Sequence, residues 1–444
     1  MAIHIPFSPK TYTERRQNLM QSIESGQILL MANDEASINF ADNWYPYRQD
    51  STFLYYGAIS LPNMYILMDA ESMTTSLFAD DVSIDMVIWT GPQPKMTSLG
   101  EKVGITNVYP TSDLKKHIKG SEIHYLPSYR ANHDKKLKSI LGIEQLNHSL
   151  SLVKAVIAQR LIKSTEELKE LNQAAYLSKQ MHQTIIDHIA PGKYEYELMG
   201  IAAKFAHENN VKWSFPPILT KNGHTLHNHY HGHKIGEHDM VLVDAGIEIA
   251  SGYCGDITRT SPASGKFTTE QQEIYDIVQE MYDAAQVMSR PGVRYLDVHL
   301  HTAKILVIKM KELGLMKGDV DDAVKEGAHA LFFQHGLGHM MGLDVHDMEN
   351  FGEEYVGYTD TLKKSTQFGL RSLRLGKELE TGNVITIEPG IYFIPELIDK
   401  FQAEGKFVDF INYDAVQKKK HLGGIRLEDD FVIKSDSCEM LGNI

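Results

Sequence analysis

Residues 240–260, MVLVDAGIEIASGYCGDITRT, decide how the rest of the chain is read. Residues 240–249 alternate and are rich in Val and Ile, as a half-buried strand requires. Ala250, Ser251 and Gly252 supply a turn, and residues 253–260 return as the antiparallel partner. Asp244 lies six residues before Ala250 and Asp256 six after it. A tight hairpin centred on Ala250 sets the two carboxylates opposite each other on one face. Opposed like charges destabilise a sheet, so something must compensate. A divalent cation does so, and hard oxygen ligands suit Mn, Mg or Ca, or Zn and Co where nitrogen joins. The blander reading is a strand end with one aspartate capping a turn. Cys254, between the two, makes no zinc-finger spacing and reads as packing.

Upstream, Ser164-x-x-Glu167 is a capping box. It opens a helix with Leu168, Leu171, Ala175, Met181, Ile185 and Ile189 at roughly helical spacing. Pro191-Gly192 ends that helix, and residues 194–209 form a second. The same order returns downstream, with a helix over 269–289, Pro291-Gly292, and a helix over 295–313. APGKYEYELMGIAAK (190–204) and RPGVRYLDVHLHTAK (290–304) are alike enough to imply an internal duplication. Strands follow each helix pair, at 240–260 and at 384–393 with 424–433. A duplicated helix-helix-sheet unit closes as two halves around one cleft, where a site belongs.

The second half supplies more ligand types. In NVITIEPGIYF (383–393), Glu388 stands just before Pro389-Gly390, where a strand must bend or end. GGIRLEDDFVI (423–433) reads as one strand carrying Arg426 and Glu428 on one face. QHGLGHMMGLDVHD (334–347) holds His335, His339 and His346 among glycines that demand close backbone approach.

A net charge of −14 over 444 residues argues against nucleic-acid or anionic-membrane partners. The start of the chain has no leader-like apolar region, and no apolar run reaches the ~18 residues of a membrane span. Two cysteines are too few for a disulfide framework and fit a reducing cytoplasm. Residues 1–155 read as a separate α/β unit, with a helix over 11–25 and strands at 27–31, 65–69 and 75–78. YPYRQDS (45–51) followed by FLYY (53–56) reads as an aromatic cluster packed around Arg48. A basic helix over 153–163 leads into the second domain, 156–444.

Asp244, Asp256, His339, Glu388 and Glu428, each in its local motif, resemble the five-ligand set of the pita-bread metallopeptidases. That family includes methionine aminopeptidase, aminopeptidase P and prolidase. The likeness covers about residues 165–444, and YRQDSTFLYY in front resembles the N-terminal domain of aminopeptidase P and prolidase. Methionine aminopeptidase lacks such a front domain, and creatinase lacks the metal. The implied fold is α/β (α+β), a creatinase/aminopeptidase P-type domain followed by a pita-bread domain of two pseudo-twofold halves.

The resemblance implies two divalent cations, Mn with Co or Zn as alternatives. Asp244 would bind one, His339 and Glu388 the other, and Asp256 and Glu428 would bridge. It assigns proton transfer to Glu388 and contact with the substrate carbonyl to His227, in TLHN (225–228). His346 falls near the scissile group, His335 beside it, and Arg426 on the substrate-binding side. His227, His229, His231 and His233 alternate, and the stretch reads as a solvated loop with one family histidine. GLRSLR (369–374) resembles the prolidase segment whose arginine holds the proline carboxylate, matching Arg374. The insertion after IYF (391–393) is also prolidase-like. The expected function is hydrolysis of Xaa-Pro dipeptides by a cytoplasmic homodimer. Alternatives are an aminopeptidase P cutting longer peptides, an organophosphate-hydrolysing relative, and a non-catalytic pita-bread binding protein.

Overall fold

The computed structural model describes residues 3–120 and 122–443. Met1, Ala2, Ser121 and Ile444 lie outside the described residues. The chain forms two compact units, one spanning residues up to Arg160 with Ala250–Gly252 and Met348–Gly352, the other holding the rest.

The front unit is built on a five-stranded mixed sheet. Gln27–Met31 pairs antiparallel with Tyr65–Asp69 and parallel with Ile123–His124, while Thr74–Phe78 joins Tyr65–Asp69 to Asn107–Tyr109. Leu29, Tyr65, Leu67, Phe78, Leu114, Tyr125 and Leu137 form one apolar cluster on it. The first helix spans Pro9–Gln21, earlier than expected, because Ser8 caps it and Pro9 suits its first position. In the 45–51 segment Gln49 and Ser51 are buried, and the Gln49 amide bonds Asn33, Asp50, Ile59 and Leu61. Arg48 is half-buried and donates to Ser51. This unit buries Arg15, Arg16 and Arg160, and Arg16 donates to the carbonyls of Tyr56, Val103 and Gly104.

The second unit repeats itself. Its first half comprises helices α1 (Thr165–Ile186) and α2 (Glu195–Glu208) with strands β1 (Ile218–Thr220), β2 (Met240–Ala245) and β3 (Ile257–Pro262). Its second half comprises α3 (Thr269–Met288) and α4 (Tyr295–Glu312) with β4 (Val384–Ile387), β5 (Gly390–Tyr392), β6 (Gly424–Arg426), β7 (Asp429–Ile433) and β8 (Cys438–Met440). The sheet orders are β3-β2-β1 in one half, and β4-β7-β8 beside the β5-β6 pair in the other. Both leading helices start in capping boxes, Ser164 with Glu167 and Thr268 with Gln271.

The repeat extends to single hydrogen bonds. Gly192 N donates to Ile235 O and Glu195 N to His233 O; Gly292 N donates to Leu379 O and Tyr295 N to Lys377 O. In each half an extended strap thus crosses the start of the second helix; in the first half that strap carries His231 and His233, while His227 lies in the turn before it.

The hairpin register differs from expectation. Ile257 pairs with Ala245, Asp244 with Thr258, and Glu248 with Cys254, which centres the hairpin on Ser251 rather than Ala250. Asp256 therefore faces Gly246, and the aspartates are diagonal neighbours on one face rather than opposed. Gly246 makes this possible, since a Cβ there would lie 1.7 Å from Gly255 O. The 423–433 segment is likewise two strands, β6 and β7, broken at Leu427 and Glu428. Cys254 is buried and directs its Sγ at Leu343 O, 3.7 Å away.

Candidate active site

Each half places acidic side chains where a strand breaks. Asp256 sits just before β3, its N–H donating to Asp430 Oδ2 at 3.0 Å. Glu428 sits between β6 and β7, and Thr258 Oγ1 donates to its Oε2 at 2.6 Å. Glu388 ends β4, its N–H donating to Leu337 O, as Pro389 requires of a strand that cannot continue.

His339 lies in the glycine-rich 334–347 loop, and the glycines are used as spacers. A Cβ at Gly338 would lie 2.1 Å from Thr386 O, and one at Gly336 would lie 2.8 Å from Leu373 Cα. Thr386 Oγ1 accepts the His339 N–H at 3.0 Å, so β4 carries the loop directly. His339 Nδ1 donates to Met340 O at 3.1 Å, which leaves Nε2 as the nitrogen with a lone pair. Nε2 lies 3.5 Å from Asp256 Oδ2 and 3.7 Å from Glu388 Oε1.

Donor atoms of Asp256, His339 and Glu428 all lie within 4.8 Å of one another, and all three residues are buried. Asp244 and Glu388 line the same cavity, of about 480 Å³, with His227, His229, His335, His346, Arg374 and Arg426. Asp244 points its Oδ2 at the Arg426 guanidinium. The structure thus brings all ten sequence-identified site residues to one cavity.

The electrostatics fit a cation. Burial, and then the charge of Asp244, pushes the Asp256 carboxyl well above the usual carboxylate range. Burial, and then Asp256, does the same to Glu428, and burial raises Glu388. Asp256 Oδ1 is buried without a hydrogen-bond partner. Carboxylate oxygens with one imidazole nitrogen make a donor set suited to divalent Mn, Co or Zn. The residues present fit such an ion.

Around this core, Arg426 is fully buried and committed. It donates to Tyr392 Oη at 2.7 Å and to Thr258 Oγ1 at 3.3 Å as well as to Asp244. His335 Nε2 also meets Tyr392 Oη at 2.7 Å, and burial pushes His335 down to about 3. The His346 ring lies 4.1 Å from that of His339. His227 is kept neutral more readily by burial and by Arg426. Arg374 pairs with Glu353 at 3.3 Å in the cavity wall. His229 shares the lining, which the loop reading gave to His227 alone. Thr258, Thr386 and Tyr392 were missed from sequence; Thr258 lies two residues after Asp256, on the same strand face, and so was within reach of the period-two rule.

Comparison with known proteins agrees with this geometry. Residues 169–435 match the model of metallopeptidase family M24, and residues 12–123 match that of the aminopeptidase P N-terminal domain. The chain is 31% identical to Xaa-Pro aminopeptidase of Escherichia coli (strain K12), over 98% of this chain and 94% of that protein. It is 28% identical to Xaa-Pro dipeptidase of Homo sapiens, over 95% and 87%. The solved structure of E. coli aminopeptidase P with the inhibitor Pro-Leu superposes with a TM-score of 0.80 at 29% identity, over 98% and 95% of the two chains. With the donor set, the duplicated halves and these matches together, the chain belongs to metallopeptidase family M24, behind an N-terminal domain of the aminopeptidase P type.

Proposed function

We propose that this enzyme hydrolyses the Xaa-Pro bond, and that free Xaa-Pro dipeptides are its main substrates. The observation that carries the reading is the meeting, in one cavity, of five metal-donor side chains and Arg374. Bound there, two divalent cations, Mn by preference, would polarise the scissile carbonyl and make hydroxide available near neutral pH. Asp244, Asp256, His339, Glu388 and Glu428 hold them. Glu388 takes and returns the proton. His227 and His346 steady the carbonyl oxygen as charge develops on it. Arg426, with Tyr392 and His335, fixes the Asp244 carboxylate and closes the substrate side. Arg374 receives the free proline carboxylate, a charge-assisted pairing suited to a guanidinium fork.

A second reading, an aminopeptidase P acting on longer peptides, is favoured by the Glu353 carboxylate, which already pairs with Arg374. Hydrolysis of Xaa-Pro against Xaa-Pro-Xaa by chelated enzyme resupplied with Mn, Co or Zn separates the two. Faster turnover of the tripeptide would sink the dipeptidase reading. The family likeness also supports a homodimer, checked by light scattering. The two-cysteine composition favours the cytoplasm, and no helix among the described residues is long and apolar enough to cross a membrane.

A further inference from the structure

The acidic donors come from both halves of the second unit, so the seam between the halves sets their separation. That seam contains one isolated bridge, Thr258–Glu428, in which Glu428 N donates to Thr258 O at 3.1 Å and Thr258 N to Glu428 O at 3.3 Å. Arg259, next along β3, reinforces it. Its Nη1 donates to Glu428 O at 2.7 Å and to Thr258 O at 3.0 Å, and its Nη2 to Asp429 Oδ1 at 2.8 Å. The contact to Glu428 O is much shorter than the ladder bond to the same oxygen, so the guanidinium holds that carbonyl more firmly. Asp429 is fixed in turn by Tyr282 Oη at 2.7 Å and Lys179 Nζ at 3.5 Å. Thr258 and Glu428, both gripped at their carbonyls, also share the side-chain bond that aims the Glu428 carboxylate.

We propose that Arg259 is a positioning residue for the metal centre, clamping the seam so that Glu428 stays within reach of Asp256 and His339. Arg259 lies outside the residues that line the cavity, so it acts through Glu428 and not on substrate. Outer residues that orient metal ligands are typically worth 10- to 100-fold in metal affinity. The inference rests on the metal reading of the site.

The test titrates Mn(II) into the chelated full-length protein by calorimetry, for wild type, Arg259→Met, Arg259→Lys and Glu428→Gln. Arg259→Met should bind Mn about 10- to 100-fold more weakly. Arg259→Lys, with charge but no fork, should fall between it and wild type. Excess Mn should restore most activity to both without changing the KM for peptide, which a general loss of structure would not allow. Wild-type Mn affinity in both variants would overturn the inference, and if Arg259→Met does not fold, Arg259→Lys alone decides it. Unchanged affinity in Glu428→Gln would instead overturn the metal assignment itself, so the two failures read differently.

Discussion

His339 Nε2 faces Asp256 Oδ2 across 3.5 Å, while its Nδ1 proton is spent on Met340 O. A neutral imidazole so oriented offers a lone pair, not a proton, to the carboxylate. A divalent cation between that nitrogen and the ionised carboxylate would satisfy both in this buried site. Chelation should therefore abolish hydrolysis and lower Tm. Asp256→Asn removes the charge at nearly constant size and should do the same to activity, with metal content measured in parallel. A fully active Asp256→Asn protein, or activity indifferent to chelator, would rule out the metal centre.

Proton linkage gives the centre a pH signature. Asp256 and Glu428 are raised well above the ordinary carboxylate range, chiefly by burial. A carboxyl raised in the folded state contributes stability below its unfolded pKa and loses it as pH rises through the folded one. The metal-free protein therefore carries a growing penalty from these two groups toward neutral pH. A cation must displace their protons, so its affinity falls on acidification and uptake releases protons. Buried His182 and His329, pushed down to about 4, resist protonation with or without metal and cancel from the comparison. The Tm gap between Mn-loaded and chelated protein should widen from pH 5 to 7.5. A gap that is flat or narrows over that interval contradicts the assignment.

How much of this was legible in the sequence follows from the range of each interaction. The two helix pairs and the capping box at Ser164 rest on local periodicity, and they lie within a few residues of their expected bounds. The strand break at Glu388 was forced by Pro389. The hairpin centre was not legible, because a shift of one residue in the turn depends on how closely Gly246 approaches Gly255, a tertiary fact. Nor was the Arg426–Tyr392–His335 chain, which joins residues 34 and 57 apart in sequence. The family likeness located the donors, while the Thr258–Glu428 seam came from the fold alone.

Gly338 offers a test of loop placement. Its φ lies outside the left-handed region, so the constraint is space and not backbone strain. A Cβ would meet Thr386 O at 2.1 Å and Thr386 Oγ1 at 2.8 Å, the latter being the acceptor of the His339 N–H. Gly338→Ala must push the loop off β4 and carry His339 with it. Overpacking of this kind costs about 1–3 kcal/mol. Activity should fall further than Tm implies, with weaker Mn binding, whereas Gly200→Ala, with nothing within 4 Å and no positive φ, should leave metal binding unchanged. Full activity in Gly338→Ala would mean that the loop does not depend on that contact.

Arg374 decides between the two substrate classes. Its guanidinium lies in the cavity wall, partly exposed and 3.3 Å from Glu353. If it receives the proline carboxylate, Arg374→Ala removes a hydrogen bond to a charged group, worth about 1.5–3 kcal/mol. The kcat/KM for Xaa-Pro should then drop on the order of 10- to 150-fold. Xaa-Pro-Xaa has no carboxylate at that position, so its slower turnover should hardly change. Glu353→Gln should help the dipeptide, because the arginine is then less neutralised. The preference for Xaa-Pro over Xaa-Pro-Xaa should collapse in Arg374→Ala. Equal losses on both substrates would make Arg374 structural, and a wild-type preference for the tripeptide would hand the function to an aminopeptidase P.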